Sequence, residues 1–157
     1  MKNQTCCFTG HRIIPASEYH EIQKSLEDEI SNLVQQGVRY FGAGDALGFD
    51  TLAALTVLSL KKEYPQIKLI LVFPCLTQTK GWAKKDIEIY KDIQARCDKY
   101  VYASQEYTLD YMYKRNRHLV DNSGFCICYL SKAVGGTAYT VDYARRKGLR
   151  IINLAQP

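Results

Sequence analysis

The sequence predicts an α/β fold: one mostly parallel sheet with helices on both faces. Three observations carry that prediction. Short apolar runs alternate with longer amphipathic ones from one end of the chain to the other. One run, Lys68-Leu69-Ile70-Leu71-Val72-Phe73, is continuously apolar after its lysine, as in a central parallel strand covered on both faces. Glycines follow several of the runs, where the chain has to turn from strand to helix.

Each element has its own signal. Thr5-Cys6-Cys7-Phe8 reads as a buried strand that ends at Thr9-Gly10. Ser17 is the expected N-cap of the next helix, with Glu18 and Glu21 in the first turn, where the helix dipole favours them. Tyr19, Ile22, Leu26, Ile30 and Leu33 follow at spacings of three and four, and Gly37 ends the helix. Arg39-Tyr40-Phe41 is a second strand. A helix over Phe49–Tyr64 follows, with Leu52, Leu55, Val57 and Leu60 as its apolar positions and Pro65 as its stop. After the Lys68 strand come a loop and a helix from Trp82 to about Cys97. Tyr100-Val101-Tyr102 is strand four. Leu109, Met112, Tyr113, Asn116 and Val120 mark one face of the next helix. Phe125 to Leu130, a helix over Thr137–Lys147 closed by Gly148, and Arg150 to Leu154 complete the order. Six strands alternating with five helices make a Rossmann-like, doubly wound sheet in one domain spanning 1–157.

Composition narrows the function. The 157 residues suffice for one domain, and 46% apolar content gives it a core. No apolar run is long enough to span a bilayer, and the start carries no signal-peptide pattern, so a cytoplasmic location and no membrane partner are expected. Six cysteines lie mostly in strand-like runs, where a reduced thiol acts as a small hydrophobe. No CxxC pair occurs, and Cys126 and Cys128 have no second ligand pair, so neither metal nor cofactor is expected. The net charge of +5 suits an anionic ligand and falls short of the bias of a dedicated nucleic-acid binder. Twelve tyrosines lean towards a homo-oligomer, because exposed tyrosine often marks an interface.

In this architecture ligands bind beyond the carboxyl ends of the strands. The loops there are Thr9 to Arg12, Gly42 to Asp50, Pro74 to Lys80, and Ser131 to Thr137. Glycines in such loops let a phosphate approach backbone amides at the start of a helix. Gly42, Gly44 and Gly48 are either tight-turn glycines or a phosphate cradle, and so are Gly135 and Gly136. Their spacing is not the dinucleotide fingerprint. Arg12 offers a planar fork to phosphate or sits alone on the surface. His11 bonds either its own turn or a ligand. Asp50 is a helix cap or a ribose-hydroxyl acceptor, and Asp45 is free to face a sugar. Asn116, on an otherwise apolar face, needs a backbone or ligand partner. Arg115 and Arg117 reach the same rim, although Arg117 is also spaced to pair with Asp121. Lys80, Lys84 and Lys85 around Trp82 read as a solvated helix start or as a strip for single-stranded nucleic acid. No HExxH, GxSxG or Walker A sequence occurs.

Four segments, taken together, resemble one family. They are Cys7-Phe8-Thr9-Gly10-His11-Arg12, the stretch Gly42-Ala43-Gly44-Asp45-Ala46-Leu47-Gly48-Phe49-Asp50-Thr51-Leu52-Ala53-Ala54, Arg115 to Asp121, and Gly135-Gly136-Thr137-Ala138-Tyr139-Thr140-Val141-Asp142-Tyr143-Ala144. Their order resembles the YpsA/YoqJ-like family of the SLOG superfamily, which also holds DprA/Smf and the Lonely Guy (LOG) phosphoribohydrolases. The resemblance implies a pocket for a nucleotide or nucleotide-like small molecule. It implies a ligand site made of Thr9, Gly10, His11, Arg12, Gly42, Gly44, Asp45, Gly48, Asp50, Asn116, Gly135, Gly136 and Thr137. LOG enzymes carry PGGxGTxxE; here Val134 stands for the proline, Ala138 for the third glycine, Tyr139 for the threonine and Asp142 for the glutamate. An enzymatic reading, cleavage of a nucleotide's N-glycosidic bond, would use Arg115 on the phosphate and Asp142 to stabilise charge developing on the ribose. DprA-like proteins bind single-stranded DNA, which makes nucleic acid a third reading. Binding or sensing of a nucleotide-like ligand is the first.

Overall fold

The stripe Ile22, Leu26, Ile30 and Leu33 becomes the buried side of helix α1 (Ala16–Gln35) in the computed structural model, which describes residues 2–103 and 110–155. Tyr19 stays exposed. Pro15, not Ser17, precedes the helix; its φ of −56° already suits a helical start, and its carbonyl accepts from the Glu18 amide at 2.9 Å.

A 3₁₀ turn leads into β1 (Thr5–Gly10). Five more strands follow: β2 (Tyr40–Ala43), β3 (Lys68–Phe73), β4 (Lys99–Tyr102), β5 (Phe125–Tyr129) and β6 (Arg150–Asn153). Between them lie α2 (Phe49–Leu60), α3 (Lys84–Arg96), α4 (Tyr111–Asp121) and α5 (Gly136–Arg146). The expected α/β doubly wound fold is therefore present. The helix expected from Trp82 begins at Lys84, because Trp82 packs edge-on against Tyr90 at 5.5 Å outside the helix. Leu109, assigned above to the face of α4, lies outside the described residues.

All strands are parallel, in the order β4-β3-β2-β1-β5-β6. From β1 the chain steps outward one strand at a time to β4, then crosses back through α4 to β5. Right-handed crossovers put α1, α2 and α3 on one face and α4 and α5 on the other. Strand alternation fills both sides. Cys6, Phe8, Phe41, Phe73 and Ile127 join Phe49 and the α1 stripe in the larger core. Cys7, Val72, Cys126 and Cys128 meet Leu119, Val120 and Val141 in the smaller one. The connections that leave β1 and β5 diverge to opposite faces, and a crevice opens between them at the carboxyl end of the sheet.

Candidate functional site

That crevice holds a cavity of about 440 Å³ with four walls. The loop after β1 supplies Thr9, Gly10, His11 and Arg12, and the start of α2 supplies Ala46 and Asp50. Helix α4 supplies Met112, Tyr113, Arg115 and Asn116; the start of α5 supplies Val134, Gly135, Gly136 and Thr137.

The two glycine turns, alike in sequence, differ in use. In the first, a Cβ at Gly44 would overlap the Arg115 guanidinium, and one at Gly48 would overlap the backbone of Arg12. Gly48 also has φ +79°, which side-chain-bearing residues rarely adopt. The Phe49 amide is taken by the His11 carbonyl at 3.1 Å, and the Ala46 amide reaches Asp50 Oδ2 at 3.4 Å. These glycines let protein pack on protein, and Gly42, Gly44 and Gly48 lie outside the cavity lining. In the second turn a Cβ at Gly135 or Gly136 would meet nothing within 4 Å. Gly135 precedes α5 at φ +113°, with no side-chain cap, so the first amides of α5 face open space with the helix dipole behind them.

Arg115 is the cation at the base. Of the neighbouring pair it is Arg115, not Asn116, that turns inward: the stripe Arg115, Leu119 and Val120 is the buried side of α4, and Arg115 is 3% exposed. Its Nε donates to Asn116 Oδ1 at 2.7 Å and its Nη1 to the Gly44 carbonyl at 2.9 Å; among the described residues its Nη2 has only Met112 Sδ, at 4.0 Å. Among the described residues no carboxylate oxygen lies within 4.0 Å of this guanidinium. Burial pulls its pKa down, and the field of Asp50 opposes that shift.

Two buried acids share the neighbourhood. Asp50 is not the cap of α2, whose N-cap is Gly48; it sits in the first turn, buried, and accepts from the loop it supports. Burial raises its pKa, while Arg115 and the Ala46 amide oppose the rise. Asp45 is 1% exposed, stands at φ +54°, and neither carboxylate oxygen has a hydrogen-bond partner among the described residues. Burial and then the neighbouring Asp50 push it up to about 8, against Arg115. It lies beneath the site rather than in its wall.

His11 joins two loops: its Nε2 accepts the Ser131 amide at 2.9 Å, and its ring stands edge-on to Tyr129 at 5.6 Å. Burial and then the charge of Lys132 lower its pKa, in the direction that favours the neutral ring as an acceptor. Arg12 is exposed over the cavity and has no hydrogen-bond or ion-pair partner among the described residues.

Asp142 is exposed, pairs with Arg146 at 2.9 Å, and is not among the cavity residues. Arg117 does not pair with Asp121. It donates to the Tyr139 hydroxyl at 3.2 Å and lies 3.7 Å from Asp110, while the Tyr143 hydroxyl takes Asp121 at 2.7 Å. The sequence reading omitted Ala46, Met112, Tyr113 and Val134 from the site. The α4 stripe that paired Met112 and Tyr113 with Asn116 was the signal for two of them.

A family model described as the YspA SLOG family (YpsA) matches residues 14–151. The UPF0398 protein of Brevibacillus brevis is 28% identical over 132 residues, covering 80% of this chain and 69% of its own. That of Bacillus licheniformis is 26% identical over 128 residues, covering 80% and 70%. Two solved structures share the fold at 15% identity. DNA processing protein A from Helicobacter pylori, described with its single-stranded DNA binding mode, has a TM-score of 0.71 and covers 97% of this chain. DprA from Streptococcus pneumoniae has a TM-score of 0.70 and covers 95%. This chain spans 65% and 49% of those two proteins. With a match running over most of its length, the chain belongs to the YpsA family of SLOG proteins.

Proposed function

We propose that this protein binds or senses a nucleotide or nucleotide-derived phosphate ligand in the crevice between β1 and β5. One observation carries the reading: Arg115 is a buried cation with no carboxylate in contact among the described residues, set on the same cavity as the uncapped start of α5. Asp50 acts on this charge only through its field, and a buried charge with no counter-charge in contact is costly. A phosphate would supply that counter-charge, accept the α5 amides and meet Arg12 from above. The cavity volume falls within the range of small-molecule pockets.

The acid that the hydrolase reading assigns, Asp142, is exposed, engaged with Arg146 and outside the cavity lining, so binding is the better supported reading. Single-stranded nucleic acid is a second reading, favoured by the fold likeness to DNA processing protein A, whose Helicobacter form binds single-stranded DNA.

The test is a thermal-shift screen against nucleoside monophosphates, dinucleotides, ADP-ribose, cyclic nucleotides and a short oligonucleotide, with product analysis of each hit. A ligand selective for the native state raises Tm. A shift with the small ligand recovered intact is expected. Release of free base would make the protein an enzyme. A shift with the oligonucleotide alone, falling steeply with salt, would favour nucleic acid. No shift with any of them would overturn the pocket.

A further inference from the structure

We infer that Tyr113 is the wall on which an aromatic base stacks, so that the ligand is a nucleotide lying with its base on α4 and its phosphate at the start of α5. The inference rests on the phosphate reading above and adds the other end of the ligand.

Tyr113 lines the same cavity as Arg115 and Gly136, yet is 39% exposed. An aromatic ring facing a cavity and left partly in water is apolar surface available for a flat partner. The ring is also held. Tyr139 of α5 stands edge-on to it, with centroids 4.6 Å apart and planes 68° apart. Tyr139 is in turn fixed by Arg117, which donates to its hydroxyl at 3.2 Å and lies 3.7 Å from Asp110. An edge-on neighbour supports one ring without covering both of its faces. The stacking surface therefore exists before the ligand arrives, and little side-chain entropy is lost on binding.

The placement fits as well. Tyr113 lines one cavity together with Gly135, Gly136 and Thr137 at the start of α5, so a base on Tyr113 and a phosphate at the α5 amides would share that cavity.

The experiment compares adenosine 5′-monophosphate with ribose 5-phosphate, by calorimetric titration into wild type, Tyr113→Ala and Tyr113→Phe. Base stacking tolerates any base, so the choice of adenine does not bias the result. Wild type is expected to prefer the nucleotide. Tyr113→Ala should weaken the nucleotide by about tenfold or more and leave ribose 5-phosphate unchanged, while Tyr113→Phe keeps both affinities. Equal losses on both ligands would mean that Tyr113 merely supports the site, and no loss on the nucleotide would mean that the base lies elsewhere. Either outcome overturns the stacking wall and leaves the phosphate seat standing. A wild-type protein that takes neither ligand would overturn both.

Discussion

At the scale of the residue, the first glycine turn is decided by what surrounds each glycine. Gly42 and Gly48 look equivalent in the sequence. A Cβ at Gly42 would meet the far end of the Leu119 side chain at 2.9 Å, which can shift; one at Gly48 would run into the Arg12 backbone and would also need φ +79°. Gly48→Ala should therefore destabilise the fold by about 3 kcal/mol or more, and Gly42→Ala by about 1 kcal/mol, read from urea midpoints. Asp45 gives a pH signature. Its carboxyl is held near 8 in the folded protein against 3.8 for the free side chain, so the native state binds the extra proton between those values. Stability should fall as pH rises through that window. Asp45→Asn, which keeps the shape and tolerates positive φ, should flatten the decline and raise Tm at pH 8 while matching wild type near pH 4. Equal pH profiles for the two proteins would contradict the buried neutral acid. The burial of Asp45 was not legible in the sequence. A charged residue among glycines reads as a loop facing solvent, whereas the fold buries it within the field of Arg115 from α4. The burial of Arg115 was hidden for a related reason: the sequence placed Arg115 on the rim and pointed the stripe at Asn116, whereas the Arg115 side chain turns inward and reaches the Gly44 carbonyl.

At the scale of the element, α4 and α5 build most of the site, and each does so through its packing. Leu119 and Val120 press α4 onto the smaller core, which fixes where Arg115 enters. Leu119→Ala should cost about 2–4 kcal/mol and weaken ligand binding as well, since the guanidinium moves with the helix. Helix α5 ends its inward face at Thr140, Val141 and Ala144. Asp142 lies on the outer face, so Asp142→Asn should change stability by less than about 0.5 kcal/mol and leave ligand affinity untouched; lost affinity would return Asp142 to the site. The elements themselves were legible to within a few residues, because period and glycine or proline stops set them. The largest departures are the end of α2, expected at Tyr64 and found at Leu60, and the start of α3, where Trp82 packs on Tyr90 outside the helix.

At the scale of the molecule, strict alternation of strand and helix was enough to foresee a parallel sheet, and the cavity found there lies at its carboxyl end, where a ligand was expected. The strand order was not legible, since the return from β4 to β5 depends on which sheet edge α4 crosses. That order creates the crevice between β1 and β5, where Thr9 to Arg12 and Val134 to Thr137 meet although more than a hundred residues separate them in the chain. The site therefore exists only in the folded sheet, and a ligand in it stabilises the whole molecule.

The most direct measurement is calorimetric titration of adenosine 5′-monophosphate into wild type and Gly136→Val at one fixed salt concentration, with Tm recorded for both. Position 136 has open space around it, so the variant should fold as wild type does while its side chain fills the phosphate seat. The account predicts saturable binding to wild type, loss of binding in the variant, and unchanged Tm in the absence of ligand. Undiminished binding to a normally folded Gly136→Val, or no binding to wild type, would contradict it.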